Sequence, residues 1–205
     1  EHPYLFTLEQ IRNVLGSHEP QQVTPKTSTR QAAVAIIMRE AQSDLEMLFI
    51  KRAEKDGDPW SGHMAFPGGH KEPEDKSLQE AACRETLEEI GLDLSAAHYL
   101  GALDHQHAQP RGRHLDMLIA PHVFLIKGDP TFNPNYEVDE VLWSGIGPMA
   151  RNEFHDTETK QMAGTPTIFN GYRLIRGHFV WGLTYRILKT FFCTLDPAWT
   201  PPTEL

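Results

Sequence analysis

The most constraining stretch of this chain runs from Gly68 to Gly91 and reads GGHKEPEDKSLQEAACRETLEEIG. Ser77 to Ile90 has the make-up of a helix, and Gly91 stands where a helix end favours a left-handed residue. Seven acids fall in this block, Glu72, Glu74, Asp75, Glu80, Glu85, Glu88 and Glu89, a quarter of the chain's 28 carboxylates. At about 100° per residue, Glu85, Glu88 and Glu89 occupy one quadrant of the helix, and Cys83, Thr86, Leu87 and Ile90 are expected on the core side. Three carboxylates in a last turn repel one another and oppose the helix dipole. Arg84 reaches Glu88 at i, i+4, which leaves two acids uncompensated. A hard divalent cation with oxygen ligands, Mg2+ or Mn2+, resolves that conflict; a merely solvated acidic face is the alternative. The turn Phe66-Pro67-Gly68-Gly69 favours the cation, because glycine lets backbone approach the carboxylates closely.

The remaining chain reads as strands with a few helices. Leu5 to Leu15 has apolar residues at helical spacing, with Thr7 as N-cap and Gly16 just past the end. The polar stretch Ser17 to Arg30 reads as a linker, so residues 1–30 form an N-terminal helix and linker, 31–195 the main domain and 196–205 a C-terminal tail. Ala32 to Met38 and Glu46 to Lys51 read as strands joined by a turn at Gln42-Ser43-Asp44, and Asp56 to Gly69 as mostly loop. Strand-like runs follow at His98 to Leu103, Met117 to Ile126 and Glu137 to Trp143, and Phe179 to Phe192 reads as a last helix. This mixture implies an α/β or α+β layered domain.

Charge and cysteine content narrow the function. The net charge of −9 argues against a general nucleic-acid or anionic-membrane binder, which needs a basic surface. Cys83 and Cys193 are far apart and outside any CxxC pattern, against a disulfide scaffold or a thiolate zinc site. The longest apolar run, Ala32 to Met38, is too short for a bilayer. Glu1-His2-Pro3-Tyr4 lacks the basic start of a signal peptide, so a cytoplasmic-type reducing setting is expected.

The Gly68–Gly91 block resembles the Nudix box: Gly, five residues, Glu, seven residues, then Arg-Glu-U-x-Glu-Glu-x-Gly-U with U bulky and apolar. Arg84 to Leu92 fits the second half except that Thr86 replaces an apolar residue. The first half is one residue longer, and its acidic position is best matched by Asp75. That extra residue, within Glu72-Pro73-Glu74-Asp75, is similar to the coenzyme A pyrophosphatase branch. Upstream, Arg52 and Gly62 to Gly69 match that branch's signature, whereas Ile50, Ala53 and the insertion Asp56 to Trp60 depart from it. Val180-Trp181-Gly182-Leu183-Thr184-Tyr185-Arg186-Ile187-Leu188 looks like its C-terminal Trp-Gly-x-Thr-Ala-Arg-Ile-Leu helix, so the resemblance covers roughly residues 30 to 193.

The resemblance implies a Nudix-type α/β/α sandwich with a mixed β-sheet, and metal-dependent hydrolysis of a diphosphate linkage in a small nucleotide-type substrate. Coenzyme A or an acyl derivative leads, giving adenosine 3′,5′-bisphosphate and a phosphopantetheine product. Nucleoside diphosphate sugars, other nucleotide diphosphates and a non-catalytic nucleotide-sensing module remain open. By the same resemblance Glu85 and Glu89 are metal ligands, Glu88 a third ligand or the group that orients water, and Gly69 a backbone carbonyl ligand. Arg84 would hold the carboxylates. Glu137 or Glu140 is the candidate general base, against a structural role for Glu137 in its strand. Arg52 is a phosphate-contact candidate, as is Arg111 with Arg113, although a solvated loop is the plainer reading there. His105 and His107 share a face, as a metal pair would, if their strand continues, but ordinary polar or surface histidines are the plainer reading. Trp60 and Phe66 either stack on a base or pack their loop. A homodimer accords with the resemblance.

Overall fold

The computed structural model describes residues 6–108 and 116–205, so the basic loop with Arg111 and Arg113 lies outside the described residues. Helix α1 (Leu8–Ser17) opens on Thr7, whose hydroxyl accepts the Gln10 N–H at 3.1 Å. It runs one residue past Gly16 to Ser17, whose hydroxyl donates back to the Asn13 and Val14 carbonyls. Strands β1 (Arg30–Glu40) and β2 (Leu45–Arg52) form a hairpin. The glycine-rich segment, expected as loop, contains two short strands, β3 (Met64–Ala65) and β4 (Gly68–His70). Helix α2 (Leu78–Ile90) is followed by β5 (His98–Ala102), β6 (Gln106–Ala108), β7 (Met117–Leu125), β8 (Val138–Gly145) and the short helix α3 (Ile146–Ala150).

The C-terminal third departs from the sequence reading. A hairpin of β9 (His155–Met162) and β10 (Thr165–Arg173) turns at Ala163 and Gly164, both with positive φ. The run expected as one helix from Phe179 splits into β11 (Phe179–Trp181) and α4 (Gly182–Leu195). Pairing decides the split: Phe179, Val180 and Trp181 oppose Arg173, Tyr172 and Gly171 of β10, and Gly182 takes φ 62° to leave the sheet.

An eight-stranded mixed sheet runs β3-β2-β1-β7-β5, with β4 on β1, β6 on β7 and β8 on β2; among the described residues only β1 and β7 pair in parallel. The strand β1 is buried on both faces, which explains its unbroken apolar run. Ala33, Ala35 and Ile37 pack with Ala81, Ala82 and Ile90 of α2, whereas Ile36 and Met38 join the larger core that includes α1 and α4. The result is the expected α/β/α sandwich. The segment after α4 joins the same core: Trp199 is buried and its Nε1 donates to the Ala150 carbonyl at 2.8 Å. No helix among the described residues is long and apolar enough to cross a membrane.

Helix α2 stops at Gly91 as expected and starts one residue later than expected, with Ser77 as its N-cap. The Ser77 hydroxyl accepts the Glu80 N–H at 3.1 Å, and Gly91 adopts φ 70° as its N–H donates to the Leu87 carbonyl. The expected core face is rotated, however: Leu87 is 51% exposed, and Ala82, Thr86, Glu89 and Ile90 form the buried stripe. Thr86 is tolerated there because its hydroxyl donates to the Ala82 carbonyl at 2.7 Å. A Cβ at Gly91 would meet Asn133 Cβ at 3.1 Å in a backbone conformation that L residues disfavour. Gly91→Ala is therefore expected to cost about 1 kcal/mol of folding stability in a urea titration.

Candidate active site

Strand β4 places the glycine pair over the acidic half of α2. Gly68 and Gly69 pair with Val34 and Ala33 of β1, and the Gly68 N–H donates to Glu89 Oε1 at 2.7 Å. A side chain at Gly69 would put its Cβ 2.5 Å from Glu85 Cδ, so glycine here is the room that Glu85 occupies. A Cβ at Gly68 would collide with the Ala33 carbonyl.

Arg84 gathers the acids more fully than the i, i+4 reading implies. Its Nε donates to Asp75 Oδ1 at 3.0 Å and Nη2 to Asp75 Oδ2 at 2.9 Å and the His70 carbonyl at 3.0 Å. Its Nη1 serves Glu85 Oε1 at 3.0 Å and Glu88 Oε1 at 3.2 Å, with Glu72 Oε1 at 3.7 Å. Asp75, only 4% exposed, also accepts the Glu72 N–H at 2.9 Å. Its hydrogen bonds from Arg84 outweigh burial and hold its carboxyl below the usual range, and the same contacts raise the Arg84 pKa. Asp75 is thus the anchor of Arg84.

Glu85 and Glu89 behave differently. Burial raises both, and the neighbouring carboxylates, Glu137 among them, add to the rise. Glu89 is 1% exposed and pushed up to about 8, against the relief that its Gly68 hydrogen bond gives. Among the described residues no three His, Cys, Asp or Glu side chains form a ready-made cation cage; Arg84 Nη1 stands between Glu85 and Glu88 instead. The donor chemistry still suits a hard divalent cation, since carboxylate oxygens whose repulsion and burial disfavour charge gain most from one.

Glu137 reaches this site because its segment is tied to the end of α2. The Asn133 and Asn135 N–H groups donate to the Ile90 and Glu89 carbonyls, each at 2.8 Å. The Asn135 side chain accepts the Glu137 N–H at 2.9 Å, and the Glu137 carbonyl accepts the Ala53 N–H at 2.8 Å. Glu137 therefore lines one cleft of about 430 Å3 with Gly69, Glu72, Glu85 and Glu88, over an apolar floor that includes Val34, Phe66 and Ile119. Glu140 is instead engaged by Arg176 and by His178 at 2.7 Å.

Arg52 also lines the cleft; its Nη2 is held by Asp58 at 2.6 Å while its buried Nε has no hydrogen-bond partner. Phe66 stacks on Phe49 at 5.2 Å and is core, whereas Trp60 stands in the cleft wall. His105 and His107 do not come together as a pair: His105 Nδ1 accepts the Val23 N–H, and His107 Nε2 lies 2.8 Å from Asp116. The wall also includes His63, Trp181 and Thr184, to which the sequence pattern assigns no site role. The Trp-Gly-x-Thr motif was the available signal for the last two.

A mixed sheet between helices, with a carboxylate-bearing helix under a glycine turn, defines the class, and comparison gives the family. The NUDIX domain model matches residues 29–158, and the chain belongs to the Nudix family. It is 38% identical over 141 residues to an uncharacterized protein of Schizosaccharomyces pombe, covering 59% of this chain and 43% of that one. It is 29% identical over 179 residues to Nudix hydrolase 15, mitochondrial, of Arabidopsis thaliana, covering 84% and 59%. With the uncharacterized Nudix hydrolase NudL of Yersinia enterocolitica it shares 30% identity over 131 residues, 64% of each chain. The chain thus spans less than two thirds of these relatives' lengths. A MutT/nudix family protein from Enterococcus faecalis, 16% identical, superposes with a TM-score of 0.54 over 94% of this chain and 76% of that one, a likeness of fold.

The raised Glu89 has a measurable consequence. A folded state that holds this proton more tightly than the unfolded chain, with its ordinary value of 4.5, loses stability as pH rises from about 5 to about 8. The expected slope is at most about 1.4 kcal/mol per pH unit in divalent-free buffer. Thermal unfolding should show this slope, flattened in Glu89→Gln, and Mg2+ added above pH 7 should raise Tm in the wild type. A Tm indifferent to Mg2+ would count against a cation at these carboxylates.

Proposed function

We propose that the chain is a metal-dependent hydrolase of a diphosphate linkage in a nucleoside diphosphate derivative, with coenzyme A or an acyl-coenzyme A as leading substrate. The observation that carries the reading is the convergence of Glu85, Glu88 and Glu137 on one cleft, with Glu89 buried behind them under Gly68. Glu85 and Glu89 would hold Mg2+ or Mn2+, with Glu88 and the Gly69 carbonyl as further ligands. The cation, when bound, supplies the positive charge that the substrate's phosphates require.

The chain's own residues do the rest. Glu137 accepts the proton of the attacking water, and its backbone, tied to α2 and to Ala53, keeps it at the cleft. Arg84 is a positioning residue: it holds Glu85 and Glu88 apart and in place through Asp75. Arg52, with an unused Nε, contacts a substrate phosphate. The coenzyme A assignment rests on the resemblance of Arg52, Gly62–Gly69 and Trp181–Leu188 to that branch. The free thiols Cys83 and Cys193 accord with a reducing, cytoplasmic setting, and a homodimer belongs to the same reading.

Turnover of a diphosphate panel with Mg2+ or Mn2+ tests this. Glu88→Gln and Glu89→Gln should each lower kcat/KM by roughly 100-fold or more, and Glu137→Gln should act mainly on kcat. Glu140→Gln should stay within about twofold of wild type. Cleavage unaffected by the Glu88 and Glu89 changes would sink the assignment.

A further inference from the structure

The cleft does not end at its aromatic wall. A second chamber of about 650 Å3 adjoins it and shares Trp60, His63, Trp181 and Leu183 with it. The chamber lies between β10, the loop before β3 and the first turns of α4. Trp181 is braced there by His63 and Phe169, each with ring centroids 4.7 Å away, and by Lys160 Nζ at 4.7 Å. A ring packed on several sides makes a rigid wall rather than a free stacking platform.

Two cations of α4 face this chamber, and they differ. Lys189 is neutralised: its Nζ lies 2.6 Å from Glu204 Oε1, which also accepts the Tyr185 hydroxyl at 3.0 Å. Glu204 is the chamber's carboxylate, and it is thereby engaged. Arg186 donates from Nη2 to the His107 carbonyl at 2.6 Å, and no carboxylate among the described residues forms an ion pair with it. Burial alone lowers its pKa, whereas Arg84, Arg151 and Arg173, which are hydrogen-bonded to carboxylates, are raised. A guanidinium partly stripped of water, oriented by one carbonyl and lacking a counter-charge, favours an incoming anion.

Its position relates it to the hydrolytic site. Thr184, two residues earlier on the helix, donates to the Met64 carbonyl at 3.1 Å and lines the catalytic cleft. From Leu183, which borders both chambers, to Arg186 the helix rises only about 4.5 Å. The partner carbonyl belongs to His107, in register with Leu118 between the cleft-lining residues Met117 and Ile119. Arg186 therefore stands on a helix that borders the cleft bearing the carboxylates, and is held by the carbonyl of a strand paired with the cleft-lining β7.

We propose that this chamber receives the part of the substrate beyond the cleaved diphosphate, and that Arg186 recognises a second phosphate carried there. The inference rests on the diphosphatase reading and assigns Arg186 as a specificity-determining residue. A guanidinium fork matches a phosphate bidentately, and Arg186 keeps donors free for one after serving His107.

The test uses two substrates that differ only in one phosphate, coenzyme A and its 3′-dephospho form, with Mg2+. Wild type should favour the phosphorylated form by tenfold or more in kcat/KM, mainly through KM. Arg186→Gln should bring the ratio to within about twofold of unity, and Arg186→Lys should retain part of it. A residue that merely ties α4 to β6 would instead lower both substrates by one factor, and that result overturns the proposal. So does equal use of both forms by wild type, or cleavage of other diphosphates with neither of these; both leave the diphosphatase reading standing. Failure to cleave any diphosphate removes both.

Discussion

One guanidinium makes the acidic site possible. Two like charges 4 Å apart repel by about 4 kcal/mol at an effective dielectric of 20, and here Glu72, Asp75, Glu85 and Glu88 crowd together. Arg84 meets all four and also caps the His70 carbonyl. Its planar fork serves Asp75 from Nε and Nη2 while Nη1 turns to the helix acids, a division that a lysine ammonium does not reproduce. The near-complete burial of Asp75 immobilises the fork, so the glutamates are aimed before any ligand arrives.

Backbone supplies the remaining precision. The Gly68 N–H holds Glu89, and the space left by Gly69 accepts Glu85. The end of α2 has carbonyls without intrahelical partners, and Asn133 and Asn135 satisfy two of them. Completing the helix end therefore also delivers Glu137 to the cleft. Helix capping and the geometry of the candidate site are one arrangement here, which ties the stability of α2 to the placement of the site. On the opposite wall, Thr184 fastens α4 to β3, so the cleft and the chamber beyond it share one rigid boundary.

Much of this was legible beforehand, and the exceptions have physical causes. Helix α2, its stop at Gly91 and its acids follow from local spacing. The exposed Leu87 and buried Glu89 rotate the core face from the expected one, because one backbone N–H makes burying a carboxylate tolerable, which helical periodicity does not register. The β9–β10 hairpin escaped notice because His155–Met162 is almost wholly polar, as a strand outside the main core can be. The β11 strand was hidden inside an apolar run, and only pairing with β10 distinguishes it from the helix that follows. That Glu137 lines the cleft while Glu140 is ion-paired depends on Arg176 and His178, both more than thirty positions downstream.

From the sequence alone came the layered α/β class, the acidic helix with its start and stop, the glycine turn and the family resemblance. Each depends on residues close in the chain, where spacing carries the physics. The tertiary structure decided what lies between distant segments: Asp75 as the anchor of Arg84, Glu137 rather than Glu140 at the cleft, His105 and His107 in separate roles, and Arg186 beside a second chamber. Those outcomes depend on which surfaces meet when the sheet closes against its helices. Local periodicity holds no information on that.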